Sequence, residues 1–286
     1  MKKALLLVIA VASGVLLTFP RQENPQSLRG PYLGQKPPGE TPEKFAPGIV
    51  STPEDEYAFE ISASGKEMVF ARKGLIMIAE QNADGTWRGP TVAPFSGKDI
   101  DGECCFSPDG AKIFFSSRRP LPGAKMAANV WISEKADGVW GKATPFGKLS
   151  SPKTIHALSI AANDNIYDSG LVRFEFREGR YLPAEALTPP IDGMSPFVAP
   201  DESYIIFSRR PPGRRDPDIH ITFRKNDGTW TAPVSLGDGI NSPRMEGSSF
   251  VTADGKYFFF TRQFDVYWVS AGFIDKLRPA IPTRPN

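Results

Sequence analysis

The 286-residue chain has only two cysteines and two histidines. Cys104 and Cys105 are adjacent in what reads as a strand, where neighbouring side chains point to opposite faces, and a disulfide between them would be strained. Both are therefore read as small buried apolar side chains, in a fold that holds together without disulfides. With only His156 and His220 available, a Ser-His-Asp triad must use one of them. His220 lies in an apparent strand, Asp218 to Phe223, and no nucleophile signature accompanies it. The sequence has no His-Glu-x-x-His helix, no Cys-x-x-Cys pair and no glycine-rich phosphate loop, so neither a metal nor another cofactor is expected. The 34 basic and 32 acidic residues leave a net charge of +2. They form no sustained basic stripe, and no nucleic acid partner is expected.

One long apolar run is present. Lys2 and Lys3 precede Ala4 to Phe19, and Pro20-Arg21-Gln22 end it. The run exceeds the usual signal core yet falls short of the roughly 20 residues that cross a bilayer as a helix. Residues 1–20 are read as a signal peptide, with an uncleaved N-terminal anchor as the alternative and the only expected membrane contact. No cysteine stands near the end of the run, which removes lipoprotein-type attachment. Residues 21–44, with Pro25, Pro31, Pro37, Pro38 and Pro42, read as a Pro-rich linker.

From residue 45 to 279 a phrase recurs: a short strand, a turn around Pro-Asp-Gly, a very apolar strand and then arginine. The clearest copy is Cys105 to Arg118, through Phe106-Ser107-Pro108-Asp109-Gly110. Further copies are Phe250 to Arg262, Phe197 to Arg209, Ile61 to Arg72 and a worn Ile160 to Tyr167. Asp-Gly turns supply the positive φ that tight hairpins need. A second hairpin follows most copies, with turns at Asp84-Gly85-Thr86-Trp87, Asp137-Gly138-Val139-Trp140 and Asp227-Gly228-Thr229-Trp230. Two hairpins per repeat predict an all-β fold, a five-bladed β-propeller of four-stranded antiparallel blades. The fifth unit stops at Asp265 to Val269 without its outer strand, which Phe45 to Val50 is expected to supply, so that an N-terminal strand closes the ring. Residues 280–286 form a tail.

The phrases Phe106-Ser107-Pro108-Asp109-Gly110 and Val198-Ala199-Pro200-Asp201 resemble the TolB-like Pro-Asp repeat. That resemblance implies a propeller in an exported bacterial protein, periplasmic or secreted, commonly a binding or assembly platform. Similar repeats also accompany peptidase domains and occur in some polysaccharide lyases.

Alignment of the repeats on their turns places Glu56, Asp101 and Glu246 just before the innermost strand, with Asp192 one residue away and His156 nearby. The second strands end at Arg72, Arg118 with Arg119, Arg209 with Arg210, and Arg262, on the same face. These residues form a candidate binding set for a protein or glycan, or serve the fold by pairing with each other. Trp87, Trp140 and Trp230 fall on the opposite face and are assigned to packing between blades. The Asp-Gly-Thr-Trp turns faintly resemble the Asp-box of sialidases with one residue too few. A binding or scaffolding module is thus the first expectation, and a glycan-processing enzyme, either a sialidase-like hydrolase or a polysaccharide lyase, is the alternative.

Overall fold

The computed structural model describes residues 28–121, 129–147, 149 and 157–279; the apolar N-terminal run, the tail and His156 lie outside the described residues. Five antiparallel sheets follow one another along the chain and form a five-bladed β-propeller, as the repeats predict. Blade 1 runs from the axis outward through Glu56–Ile61, Glu67–Arg72, Leu75–Gln81 and Trp87–Val92. Blade 2 has Asp101–Phe106, Lys112–Ser117, Asn129–Ala136 and Thr144–Pro145, with Val139–Trp140 paired beside the third strand. Blade 3 has the short strands Ser159–Ile160, Ile166–Asp168, Val172–Phe174 and Glu185–Ala186. Blade 4 has Met194–Val198, Tyr204–Arg209, Asp218–Phe223 and Val234–Ser235, and blade 5 opens with Glu246–Val251, Tyr257–Arg262 and Asp265–Ser270.

Turn chemistry explains why each repeat folds back where it does. In blade 2 the Asp109 carboxylate accepts hydrogen bonds from the Ser107 hydroxyl at 2.5 Å and the Ala111 amide at 3.0 Å, and Gly110 takes φ 70°. Blade 5 repeats this with Thr252, Asp254 and Gly255, the last at φ 69°. The worn blade 3 makes the same turn with different residues: Asn163 caps the Asn165 amide, and Asp164 occupies the left-handed region at φ 65°. Asx side chains tolerate that region better than other non-glycine residues, so the hairpin survives loss of the Pro-Asp-Gly wording. Replacing Asp109 by Ala is expected to lower stability by about 1 kcal/mol, read as a fall in melting temperature. An unchanged melting temperature would mean that the turn needs only its glycine.

The second strands are sandwiched between neighbouring blades and so are apolar on both faces. Phe258, Phe259 and Phe260 are consecutive and all buried, as are Ile205, Ile206 and Phe207. Trp87, Trp140 and Trp230 are buried as well, Trp140 against Phe95 and Phe106. Cys104 and Cys105 are free and buried, and burial pushes both thiols well above their ordinary range.

The ring closes through the N-terminal region, but two residues earlier than expected. Glu43–Lys44, not Phe45 to Val50, forms the outer strand of blade 5, with Glu43 opposite Trp268 and Lys44 opposite Tyr267. Phe45 turns inward instead, its ring 5.0 Å from Phe59, 5.2 Å from Phe259 and 5.1 Å from Trp268, and the chain then bends through Ala46 at φ 42° and Gly48 at φ 78°. From Leu28 onward the Pro-rich stretch is packed on blades 1 and 5. The Trp87 indole donates to the Gly30 carbonyl at 2.7 Å, the Ser270 amide donates to Gly39 at 2.9 Å, and Tyr32 sits on the rings of Tyr257 and Trp268.

Candidate functional site

The acidic and arginine positions aligned from sequence meet in pairs inside single blades. Glu56, Asp101 and Glu246 are at most 1% exposed. A carboxylate so buried is costly unless paired and hydrogen-bonded, and each of the three is. Arg72 donates Nε to Glu56 at 2.7 Å and Nη2 to the carbonyls of Ile49 and Val50; the Thr52 hydroxyl and amide complete the shell. Arg262 repeats this on Glu246 at 3.0 Å, with Ser242 in the place of Thr52 and Ile240 supplying the carbonyl. In blade 2 the partner is Arg119, at 2.9 Å from Asp101, and the Ser96 hydroxyl adds a bond at 2.6 Å. These pairs tie the first strand of a blade to the end of its second. Arg118, Arg209, Arg210 and Asp192 are exposed, and Arg210 donates to the Arg215 carbonyl at 3.1 Å. His220 stands in the strand Asp218–Phe223, half-buried and stacked near Phe207, and burial lowers its pKa.

A different pair of carboxyls lines the central channel, one that sequence alignment did not single out. The inner strands carry a bulge, where Ala58, Glu103, Ser195 and Ser248 all take positive φ between 44° and 52°. A bulge re-aims the side chains around it. Here it borders a cavity of about 30 Å³ lined by Glu60, Glu103, Leu158, Ser195, Ser248 and Ser249 among others. Such a space holds about one or two waters. Glu60 accepts one bond, from the Phe106 amide of blade 2 at 2.8 Å, and burial pushes its pKa up to about 8 despite that bond. Glu103 has no hydrogen-bond or ion-pair partner among the described residues; burial, helped by the charge of Asp168, pushes it up to about 7. The Ser249 hydroxyl, in a residue 8% exposed, is also without a partner among the described residues. Among the described residues no three His, Cys, Asp or Glu side chains cluster so as to hold a metal ion.

Toward the Pro-Asp-Gly end, the channel widens into a funnel of about 260 Å³. Its rim takes the same turn position from every blade, Ala63, Pro108, Ala162, Pro200 and Ala253, and its wall takes Ile61, Phe106, Ile160, Val198 and Val251. Phe197 and Phe250 deepen the apolar lining, and Glu60 lines both the funnel and the small cavity beyond it. These rim and wall positions belong to the repeat phrase itself and could have been found from it. The face on which they lie is opposite the arginine-bearing one.

No protein-family model matches the chain, and no curated protein sequence matches it. Among solved structures it is similar to a TolB-designated protein from Agrobacterium tumefaciens, at 16% identity and TM-score 0.47, covering 74% of this chain and 71% of that one. It is similar to TolB from Acinetobacter baumannii at 14% identity and TM-score 0.46, covering 75% of this chain and 54% of the other. A gluconolactonase from Xanthomonas campestris is similar at 16% identity and TM-score 0.46, with 73% and 70% covered.

Proposed function

We propose that the protein is an exported binding module that takes an apolar segment of a protein partner into the funnel at the Pro-Asp-Gly end of its channel. The observation that carries this reading is the 260 Å³ funnel, built from two equivalent apolar positions of each of five blades. Concave, mostly apolar sites with few convergent polar groups are the usual form of a ligand pocket. A glycan would need walls matched to its hydroxyls, and apart from Glu60, Ser107 and Ser159 the lining is Ile, Val, Phe, Pro and Ala, which offer none. The glycan-processing alternative needs two carboxyls facing a sugar ring. The channel carboxyls Glu60 and Glu103 border a 30 Å³ space, far smaller than such a ring, and Glu56, Asp101 and Glu246 are taken up by arginine or hydroxyl partners. Among the described residues no helix is long and apolar enough to cross a membrane. Export rests on the apolar run behind Lys2 and Lys3.

Selection of a displayed random-peptide library on the folded chain tests the site. Enriched peptides are expected to carry large apolar residues and to lose at least tenfold in affinity for Ala253→Tyr, which fills the funnel from an exposed rim position without disturbing the core. Peptides that bind this variant as tightly as the parent would place the contact elsewhere.

A further inference from the structure

We propose that the inner end of the funnel recognises a primary ammonium group carried on an apolar stem, the stem lying along the funnel wall and the ammonium entering the cavity bordered by Glu60, Glu103 and Ser249. This rests on the funnel reading and names the chemistry of its occupant.

Among the described residues, four buried carboxylates come with an arginine. Glu56, Asp101 and Glu246 have Arg72, Arg119 and Arg262, and Glu202 has Arg224 at 2.8 Å together with Asn165 and Tyr167. The two channel carboxyls are half-buried and have no cation among the described residues. Among the described residues Glu60 has a single amide donor, Glu103 has none, and the Ser249 hydroxyl, which lines the same cavity, is without a partner. An ammonium carries three N–H donors and no acceptor, which matches two carboxyls and a hydroxyl oxygen. It is also about the size of a water molecule, and so suits a 30 Å³ space that a planar guanidinium with five donors would overfill.

Burial disfavours the charge of both carboxyls, pushing Glu60 up to about 8 and Glu103 up to about 7, so near neutrality Glu60 is mostly and Glu103 about half protonated. An arriving cation reverses that preference, so binding releases protons to solvent and strengthens as the pH rises through 7 and 8. The Coulomb attraction is then formed in a half-buried channel, where it is stronger than in open water.

Isothermal calorimetry with n-hexylammonium and the neutral 1-hexanol, between pH 6 and 8.5 and in two buffers of different ionisation heat, reads all of these consequences. Hexylammonium is expected to bind at least tenfold tighter than hexanol at pH 8, to release protons, and to lose its advantage at pH 6. In Glu60→Gln and Glu103→Gln the amine should fall to the affinity of hexanol, while retained hexanol binding shows the funnel intact. Equal affinity of amine and alcohol for the parent would overturn the ammonium assignment and leave the funnel standing. Binding of neither compound would also overturn it, and the peptide selection then reports separately on the funnel. Enrichment of lysine among selected peptides would identify a protein side chain as the source of the ammonium; hexylammonium binding without such enrichment would identify a free amine.

Discussion

Raising the pH from 5 to 8 is expected to weaken the fold by about 2–4 kcal/mol, and Glu60→Gln is expected to remove most of that slope. A glutamate in an unfolded chain titrates near 4.3, whereas burial pushes Glu60 up to about 8 in the channel. Between those values the folded chain holds a proton that the unfolded chain has lost. Stability is therefore greatest below the unfolded pKa as far as this group is concerned, and falls as the pH rises toward 8, by about 1.4 kcal/mol per unit at most. Glu103, pushed up to about 7, adds to the same slope over a narrower window. Other carboxyls act in the opposite sense. Hydrogen bonds from Thr86, Ser107 and Thr229 lower the pKa of Asp84, Asp109 and Asp227, so their contribution is lost as the pH falls into the acid range. The two sets work in different windows and can be separated by urea unfolding at pH 3, 5 and 8. Glutamine preserves an acceptor for the Phe106 amide, so the variant tests charge rather than shape. Parallel pH profiles for Glu60→Gln and the parent would show that the channel does not hold the proton.

Phe45→Ala is expected to cost about 3–5 kcal/mol, the range for emptying the space of a fully buried aromatic ring. Phe45 is 0% exposed and its ring meets Phe59 of blade 1 and both Phe259 and Trp268 of blade 5. The side chain thus fills the seam between the first and last blades, directly after the two-residue strand that completes blade 5. Two strand residues alone are a weak closure; the ring beside them holds the strand in register. A denaturant midpoint measures the loss, and Val139→Ala at a 66% exposed position is the control that should move by less than about 0.5 kcal/mol. A loss as small as the control's would mean that the seam closes around the cavity and that hydrogen bonds such as Ser51 to Val266 carry the closure.

Turn wording made the architecture legible in sequence, because Asp-Gly and its substitutes report a backbone conformation directly. Even the worn blade kept Asn163, whose side chain does the same work, and Asp164, whose backbone takes the left-handed place of the glycine. Closure was legible in kind but displaced, since nothing in Glu43-Lys44-Phe45 signals that the third residue turns inward. Alignment also found that Glu56, Asp101 and Glu246 are equivalent, but equivalence does not reveal a partner. The choice of Arg119 over Arg118 in blade 2 follows from which side chain reaches Asp101, a distance of 2.9 Å that no spacing encodes. Glu60 and Glu103 escaped notice for a different reason. They occupy different repeat positions in their two blades, where the other blades have Cys, Ser or Phe and Ala or Ser, so no recurrence marks them. The bulge at Ala58, Glu103, Ser195 and Ser248 breaks the two-residue alternation that would have assigned their faces.

The strand at Glu43–Lys44 gives the chain a test of its own completeness. Its partner begins at Asp265, so the earliest strand of the ring has nothing to pair with until nearly all of the domain exists. Local hairpins can form blade by blade as each becomes available, whereas this contact spans the longest separation in the ring and brings the slow, entropically costly step to the end. Until then Asp265–Ser270 presents an open edge beside exposed aromatic surface, the kind of edge to which foreign strands add. A chain cut short before residue 265 lacks the edge that its own N-terminal strand requires, and the Pro-rich segment ahead of that strand stays undocked on blade 5. Docking of that segment against Trp268 and Tyr257 thus reports, on the outside of the molecule, that the last blade has been made.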